Sequence, residues 1–124
     1  MLGNEAQSGV AVEALRSTSF TAGAANGVWL PVSQYEGDLC FMYNIGALTG
    51  SVVLKLQDAT DVGGTGAADL SPAVTTGSLS TAGGTGQLTV PKSKIRSHVR
   101  IVATVTTGPA LVSAMMKARS KTTP

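Results

Sequence analysis

Two neighbouring segments between residues 38 and 58 alternate apolar and polar side chains, and this alternation constrains the fold more than any other feature. The apolar sets are Leu39, Phe41, Tyr43 and Ile45 in the first segment and Val52, Leu54 and Leu56 in the second. A period of two is typical of antiparallel strands with one buried face. Because a Gly-bounded turn at 46–50 joins the segments, the sequence predicts a β-hairpin over Asp38–Asp58.

A second hairpin is predicted over His98–Ala118, on either side of the turn Thr107-Gly108-Pro109. Its inward residues are Val99, Ile101, Ala103 and Val105, followed by Val112, Ala114 and Met116. Further short strands are predicted over 10–15, 17–22, 28–32 and 87–90, and no helix of three turns is convincing. About eight short strands separated by Gly, Pro and Asn turns indicate an all-β chain, folded as an antiparallel β-sandwich or a barrel.

Composition predicts a single domain with a thin core. Ala, Gly, Ser and Thr make up nearly half of the 124 residues, and aromatic residues only 4%. Such a core favours association with other copies or with a larger partner. The polar N-terminus predicts an arm over 1–16 that precedes one β-sandwich domain over 17–124. Neither a secretory signal nor an apolar run long enough to cross a membrane is present in this sequence.

Charge is unevenly distributed along the chain. All seven acids lie in residues 1–69, whereas residues 70–124 carry seven bases and no acid. The segment 92–100, KSKIRSHVR, would direct its basic side chains to one side if extended, with Ile95 and Val99 facing inward. Three interpretations stay open: a solvated edge that prevents sheet aggregation, a docking site for an acidic protein patch, or a phosphate site. Nucleic acid is the least favoured because no aromatic residues interleave. The candidate partner-binding residues are Lys92, Lys94, Arg96 and Arg100.

No set of residues in the sequence indicates catalysis or a cofactor. His98 is the only histidine, and no Gly-x-Ser-x-Gly motif marks a nucleophile, so we expect no enzyme activity. The lone Cys40 excludes an intramolecular disulfide and fits folding in a reducing cytoplasm. The Gly-rich pieces GGTGAAD and GGTGQ lack the lysine and helix of a phosphate loop. Asp58, Asp61 and Asp69 could gather around a cation, but their spacing matches no known calcium loop, so no metal is predicted.

The runs VVLKLQDATDVGGTGAADLS and SHVRIVATVTTGPALVSAMMKA, joined by a Gly/Thr-rich middle, resemble small jelly-roll proteins of tailed bacteriophages. The resemblance covers roughly residues 38–118 and includes head decoration (cement) proteins. It implies a jelly-roll sandwich that is made in the host cytoplasm and binds the outer surface of the capsid. The implied partner is the major capsid protein, whose subunit contacts it stabilises, commonly as a homotrimer. The resemblance carries over no catalytic residue.

Two alternative functions stay open at this stage. One is another virion component of similar fold, such as a fibre base, a tail protein or a minor capsid protein. The other is a carbohydrate-binding attachment module. Sugar sites usually carry exposed aromatic side chains, and Trp29, Tyr35 and Tyr43 are few, which disfavours the second alternative.

Overall fold

The computed structural model describes residues 9–70, 73–80 and 83–120, and its regular structure in these ranges is almost entirely β. The strands are β1 (Gly9–Phe20), β2 (Gly23–Asn26), β3 (Leu30–Pro31), β4 (Tyr35–Leu48), β5 (Ser51–Ala59), β6 (Ala68–Asp69), β7 (Thr85–Pro91), β8 (His98–Thr106) and β9 (Ala110–Ser120). One turn of 3-10 helix, Lys92–Lys94, precedes β8. Within these ranges, the structure contains no helix with the length and apolarity needed to span a membrane.

The strands form two antiparallel sheets that pack as a sandwich. Sheet A has the order β1-β9-β4-β7, and sheet B has the order β2-β8-β5-β6 with β3 added beside β8. Apart from the two-residue β3, each sheet has four strands, and from β4 onward successive long strands belong to opposite sheets, which is the arrangement of a jelly roll. The predicted fold class, an all-β antiparallel sandwich of jelly-roll type, is therefore confirmed, with nine strands in the described residues rather than about eight.

Both predicted hairpins are wrong in their pairing. β4 pairs with β7 and β9, whereas β5 pairs with β6 and β8, so the two strands of the first hairpin belong to different sheets. β8 and β9 are separated in the same way. Each short turn is a corner at which the chain crosses from one sheet to the other. Alternation indicates only that a strand has one buried face. Two strands paired in a hairpin and two strands that face each other across a core both have one buried face, so the pattern does not distinguish them.

The two corners pack against each other at one end of the sandwich. The Thr49 N–H donates to the carbonyl oxygen of Pro109 at 3.1 Å. A Cβ at Gly50 would collide with the carbonyl oxygens of Thr106 and Thr107. Glycine at position 50 therefore allows the backbone of the β4–β5 corner to lie directly on the β8–β9 corner.

The core lies between the sheets and uses the predicted faces. The largest fully buried side chains include Phe41 and Leu39 from β4, Leu54 and Leu56 from β5, and Ile101 from β8. Alanines of β1, β8 and β9 fill much of the remaining interior. The inward sets predicted for β4, β5, β8 and β9 are confirmed, except that Tyr43 is only half-buried. The predicted strand at 28–32 is shorter, because Val28 faces solvent and only β3 pairs.

The structure differs from the predicted arm over residues 1–16. Residues 9–16 lie in β1, which pairs with β9 across sheet A and buries Ala14 and Leu15. The polar residues of β1 suggested an arm because one face of this edge strand is exposed. Its register also shifts between Glu13 and Leu15 and again before Thr18, which breaks the alternation in the sequence. Residues 1–8 of the predicted arm lie outside the described residues.

Candidate functional site

The basic segment 92–100 is not extended throughout, as the alternation argument assumed. Lys92–Lys94 forms the 3-10 turn, and β8 begins only at His98. Ile95 and Val99 point into the core, as predicted. The 3-10 turn breaks the alternation over residues 92–97, so the predicted single row of basic side chains does not form.

Arg96 is bound to a buried carboxylate of β5. Its Nη2 donates to Asp58 Oδ1 at 2.9 Å and to the Gly66 carbonyl at 2.7 Å, and its backbone N–H donates to Asp58 Oδ2 at 3.1 Å. Asp58 is 7% exposed, the one buried charged residue among those described. Burial by itself raises the pKa of Asp58, but the hydrogen bonds and charge of Arg96 outweigh it and hold that pKa below its ordinary value. Arg96 therefore fastens the 60–67 loop to the sandwich.

Arg100 belongs to a polar ladder on the outer face of sheet B. Its Nε and Nη2 donate to Gln57 Oε1 at 3.0 and 2.8 Å, and its guanidinium carbon lies 4.4 Å from the centroid of the Trp29 ring. Gln57 in turn donates to Asp69, which also pairs with Lys55 at 3.1 Å. These hydrogen bonds lower the pKa of Asp69. The ladder connects β5, β6 and β8 with Trp29, which precedes β3. The guanidinium of Arg100 is therefore engaged by contacts within the molecule.

The remaining two candidates, Lys92 and Lys94, lie at the end of the sandwich where β7 stops. Lys94 is exposed, and Lys92 Nζ donates to the Ser33 carbonyl at 3.4 Å. An open groove of about 560 Å³ runs beside Lys92, lined by Glu36, Asp38, Pro91, Lys92, Ser93 and Ile95 among others. The structure thus divides the four predicted partner-binding residues: Arg96 and Arg100 hold the fold together, Lys92 borders a groove of mixed charge, and Lys94 is exposed two residues further along the chain.

The three aspartates that could have gathered around a cation are held apart by separate partners. Asp58 binds Arg96, and Asp69 binds Lys55 and Gln57. Asp61 Oδ1 accepts the N–H groups of Gly63 and Thr65, which closes the loop on itself, and the Thr65 contact lowers the pKa of Asp61. Among the described residues, no group of three His, Cys, Asp or Glu side chains is placed to hold a metal ion.

Among the described residues, Ser97 and His98 form a contact that resembles a nucleophile–base pair, with Oγ and Nδ1 2.9 Å apart. The Ser97 hydroxyl also contacts the carbonyl oxygens of Ala59 and Thr60, which can only accept. Its proton is therefore directed to a carbonyl, and the ring nitrogen is left to donate to Oγ. A general base needs the opposite polarity, with the ring nitrogen accepting the hydroxyl proton. The contact closes the start of β8 onto the end of β5.

The sequence interpretation missed an exposed apolar area on the outer face of sheet A. Met42 of β4 and Met115 of β9 are direct cross-strand partners and are 40% and 44% exposed. Leu111 lies against Gly46 on the same face. The signal was available, because each methionine alternates with a core residue, Phe41 or Met116, and so had to face outward if that residue faced inward.

Comparison with known proteins establishes the fold alone. No protein-family model and no curated protein matches the sequence. A solved structure described as Bacillus endospore appendages that form disulfide-linked pili is similar at 16% identity and a TM-score of 0.53, over 91% of this chain and 88% of that one. A chain of infectious bursal disease virus Gx strain is similar at 13% identity and a TM-score of 0.43, over 94% of this chain and 33% of that one.

Proposed function

We propose that this protein is a structural subunit of a virion that binds the outer surface of a bacteriophage capsid and stabilises contacts between major capsid subunits. The observation that carries the proposal is the similarity to a pilus subunit over nearly the full length of both chains. A sandwich of similar fold thus occurs in a protein that assembles into pili, which supports a structural role in an assembly. The run of residues that resembles phage decoration proteins, 38–118, extends from β4 to β9 and so covers most of both sheets.

The proposed docking surface is the groove end of the sandwich. Lys92 lines the groove with Glu36 and Asp38, and the exposed Lys94 belongs to the same 3-10 turn, so the surface offers both signs of charge to the seam between two capsid subunits. Arg96 and Arg100 contribute indirectly, because they fix the loop and the strands behind this end. Each copy binds weakly, and a homotrimer adds the free energies of three such contacts by raising their effective concentration. Because bound copies favour the assembled lattice, they stabilise it by mass action.

A carbohydrate-binding attachment module is less well supported. Sugar rings stack on exposed aromatic faces, and one face of Trp29 is covered by the Arg100 guanidinium, while its Nε1 would lie 2.7 Å from a Cβ on Gly64. Tyr35 is buried, and the Tyr43 ring packs on Gly86. The three aromatic residues considered for a sugar site are therefore occupied within the fold. Another virion component of similar fold stays the main alternative.

The proposal is tested by adding purified protein to capsids of the source phage that were assembled without it. We expect co-sedimentation that saturates at a fixed ratio to the major capsid protein, together with a higher capsid melting temperature. Cryo-electron microscopy of the saturated particles then shows whether density lies outside the capsid shell as trimers. Failure to bind the capsids, or binding to isolated tails alone, would contradict the proposal and favour another virion component.

A further inference from the structure

The free edges of the two sheets differ in how well they are protected from pairing with another strand. β1 is long, but its register shifts twice, it carries Glu13 and Arg16, and its Ala14 carbonyl accepts the Val28 N–H. β2 and β6 are four and two residues long. β7 is different, because Thr85–Pro91 pairs with β4 in unbroken register and carries no charge. Edge strands usually carry lysines, bulges or an interior proline that block pairing, and β7 has only its terminal Pro91.

The register of β7 determines which of its backbone groups face outward. The Ile45 N–H donates to the Gly84 carbonyl at 2.7 Å, so these two residues form a hydrogen-bonded position of the β4–β7 ladder. Such positions recur every second residue in an antiparallel pair. Gly86, Leu88 and Val90 therefore direct their backbone groups to β4. Thr85, Gln87 and Thr89 direct theirs to the open side, where no described residue bonds to them.

We propose that β7 pairs antiparallel with β7 of a second copy about a two-fold axis at Gln87. This register sets Gln87 opposite its own copy and Thr85 opposite Thr89 of the other chain. All three outward N–H groups of each copy then meet an outward carbonyl, which gives six hydrogen bonds across the axis. Leu88 comes to lie opposite Gly86 of the second copy on the core side, next to the Tyr43 ring that packs on that glycine. The two copies of sheet A become one continuous eight-stranded sheet.

Charge is the reason for choosing a second copy as the occupant. A two-fold contact brings identical residues together, so any charged side chain near the axis would face its own like charge. Residues 83–91 contain no charged side chain, and the pairs formed are glutamine with glutamine and threonine with threonine. The contact does not rest on capsid binding. In a homotrimer it would join copies that belong to different trimers.

Disulfide crosslinking in solution tests this contact and its register. Because Cys40 Sγ donates to Gln87 Oε1 at 3.2 Å, the experiment uses a Cys40→Ser background. Opposed Cα atoms at a hydrogen-bonded position are about 5.5 Å apart, within the range of a disulfide. We expect Gln87→Cys to form covalent dimers under mild oxidation at least about tenfold faster than two matched variants. One is Thr104→Cys, which is exposed on sheet B. The other is Thr85→Cys, because the proposed register sets Thr85 opposite Thr89 of the second copy and not opposite the second Thr85.

Equal crosslinking of Gln87→Cys and Thr104→Cys would overturn the proposal, and faster crosslinking of Thr85→Cys would overturn the register. Amide hydrogen exchange of the unmodified chain provides a test without a variant. The Gln87 and Thr89 amides should be protected at high protein concentration and lose this protection on dilution, while the Leu88 amide, bonded to β4, stays protected throughout. Rapid exchange of Gln87 at every concentration would also overturn the pairing. The outcome of these two experiments does not decide whether the protein binds capsids, because capsid binding is measured separately.

Discussion

Phe41 is fully buried, and its neighbour Met42 faces solvent on the other side of the same strand. We expect Phe41→Ala to lower the free energy of unfolding by about 3–5 kcal/mol, because it leaves a cavity between the sheets. That loss is a large part of the stability of a typical domain. Denaturant unfolding measures it, and Met42→Ala is the control, expected within about 0.5 kcal/mol of the parent. Equal stability of the two variants would contradict the placement of Phe41 in the core.

The buried carboxylate of Asp58 gives the molecule a specific acid sensitivity. Its pKa is held below the ordinary value by Arg96 in the folded state, so its stabilising contribution is complete above the unfolded pKa of about 3.9 and is lost as the pH falls through the folded pKa. We expect Asp58→Asn to melt several degrees below the parent at pH 7, with the gap narrowing below about pH 4. Thermal melts across this range measure the gap, with Asp38→Asn, an exposed aspartate, as control. A gap that does not change with pH would show that the charge of Asp58 is not responsible.

The core strands β4, β5, β8 and β9 could be predicted from the sequence, whereas the short strand β2 and the partners of every strand could not. Alternation places Leu39, Phe41 and Ile45 on one face of β4 whichever strand lies beside it, and the structure confirms that face. Pairing depends on backbone ladders between residues far apart in sequence, such as Phe41 with Met116 and Leu56 with Ile101. A two-residue connection between β4 and β5 fits a hairpin and a sandwich corner equally well. What separates them is the rest of the sheet order, which local patterns do not contain.

The corner itself provides a test of this topology. A Cβ on Gly50 would collide with the Thr106 and Thr107 carbonyls, whereas a Cβ on Gly77 meets nothing within 4 Å. We therefore expect Gly50→Ala to lower the free energy of unfolding by about 1–3 kcal/mol, because the two corners must move apart. Gly77→Ala should stay within about 1 kcal/mol of the parent. Calorimetry measures both, and a Gly50→Ala variant as stable as Gly77→Ala would contradict the packing of the corners.

At the scale of the whole molecule, the uneven charge of the sequence becomes a set of specific pairs. Arg96 meets Asp58 from 38 residues away, and Arg119 lies 3.9 Å from Glu36. Acidic residues of the N-terminal part thus form ion pairs with basic residues of the C-terminal part. The folded protein is therefore not divided into an acidic face and a basic face by the uneven charge of its sequence. Sequence reasoning identified the basic segment but could not separate its structural arginines from its exposed lysine, because the carboxylate that binds Arg96 lies in β5. Lys92, which lines the groove, and Lys94, in the same 3-10 turn, are the part of that segment left to test for docking.

We expect the double variant Lys92→Gln/Lys94→Gln to bind the capsid more weakly than the parent and with less dependence on salt, since it removes two of the charges proposed to contact the seam. Its melting temperature should stay within a few degrees of the parent, because the Asp58–Arg96 pair and the core are untouched. The control Arg16→Gln/Lys117→Gln removes the same charge from exposed positions of sheet A that do not line the groove, and it should bind like the parent. Co-sedimentation across a salt titration measures all three proteins. If the control weakens binding and the lysine variant does not, docking uses the sheet A face around Met42 and Met115, whose exposed side chains would then supply the apolar part of the contact.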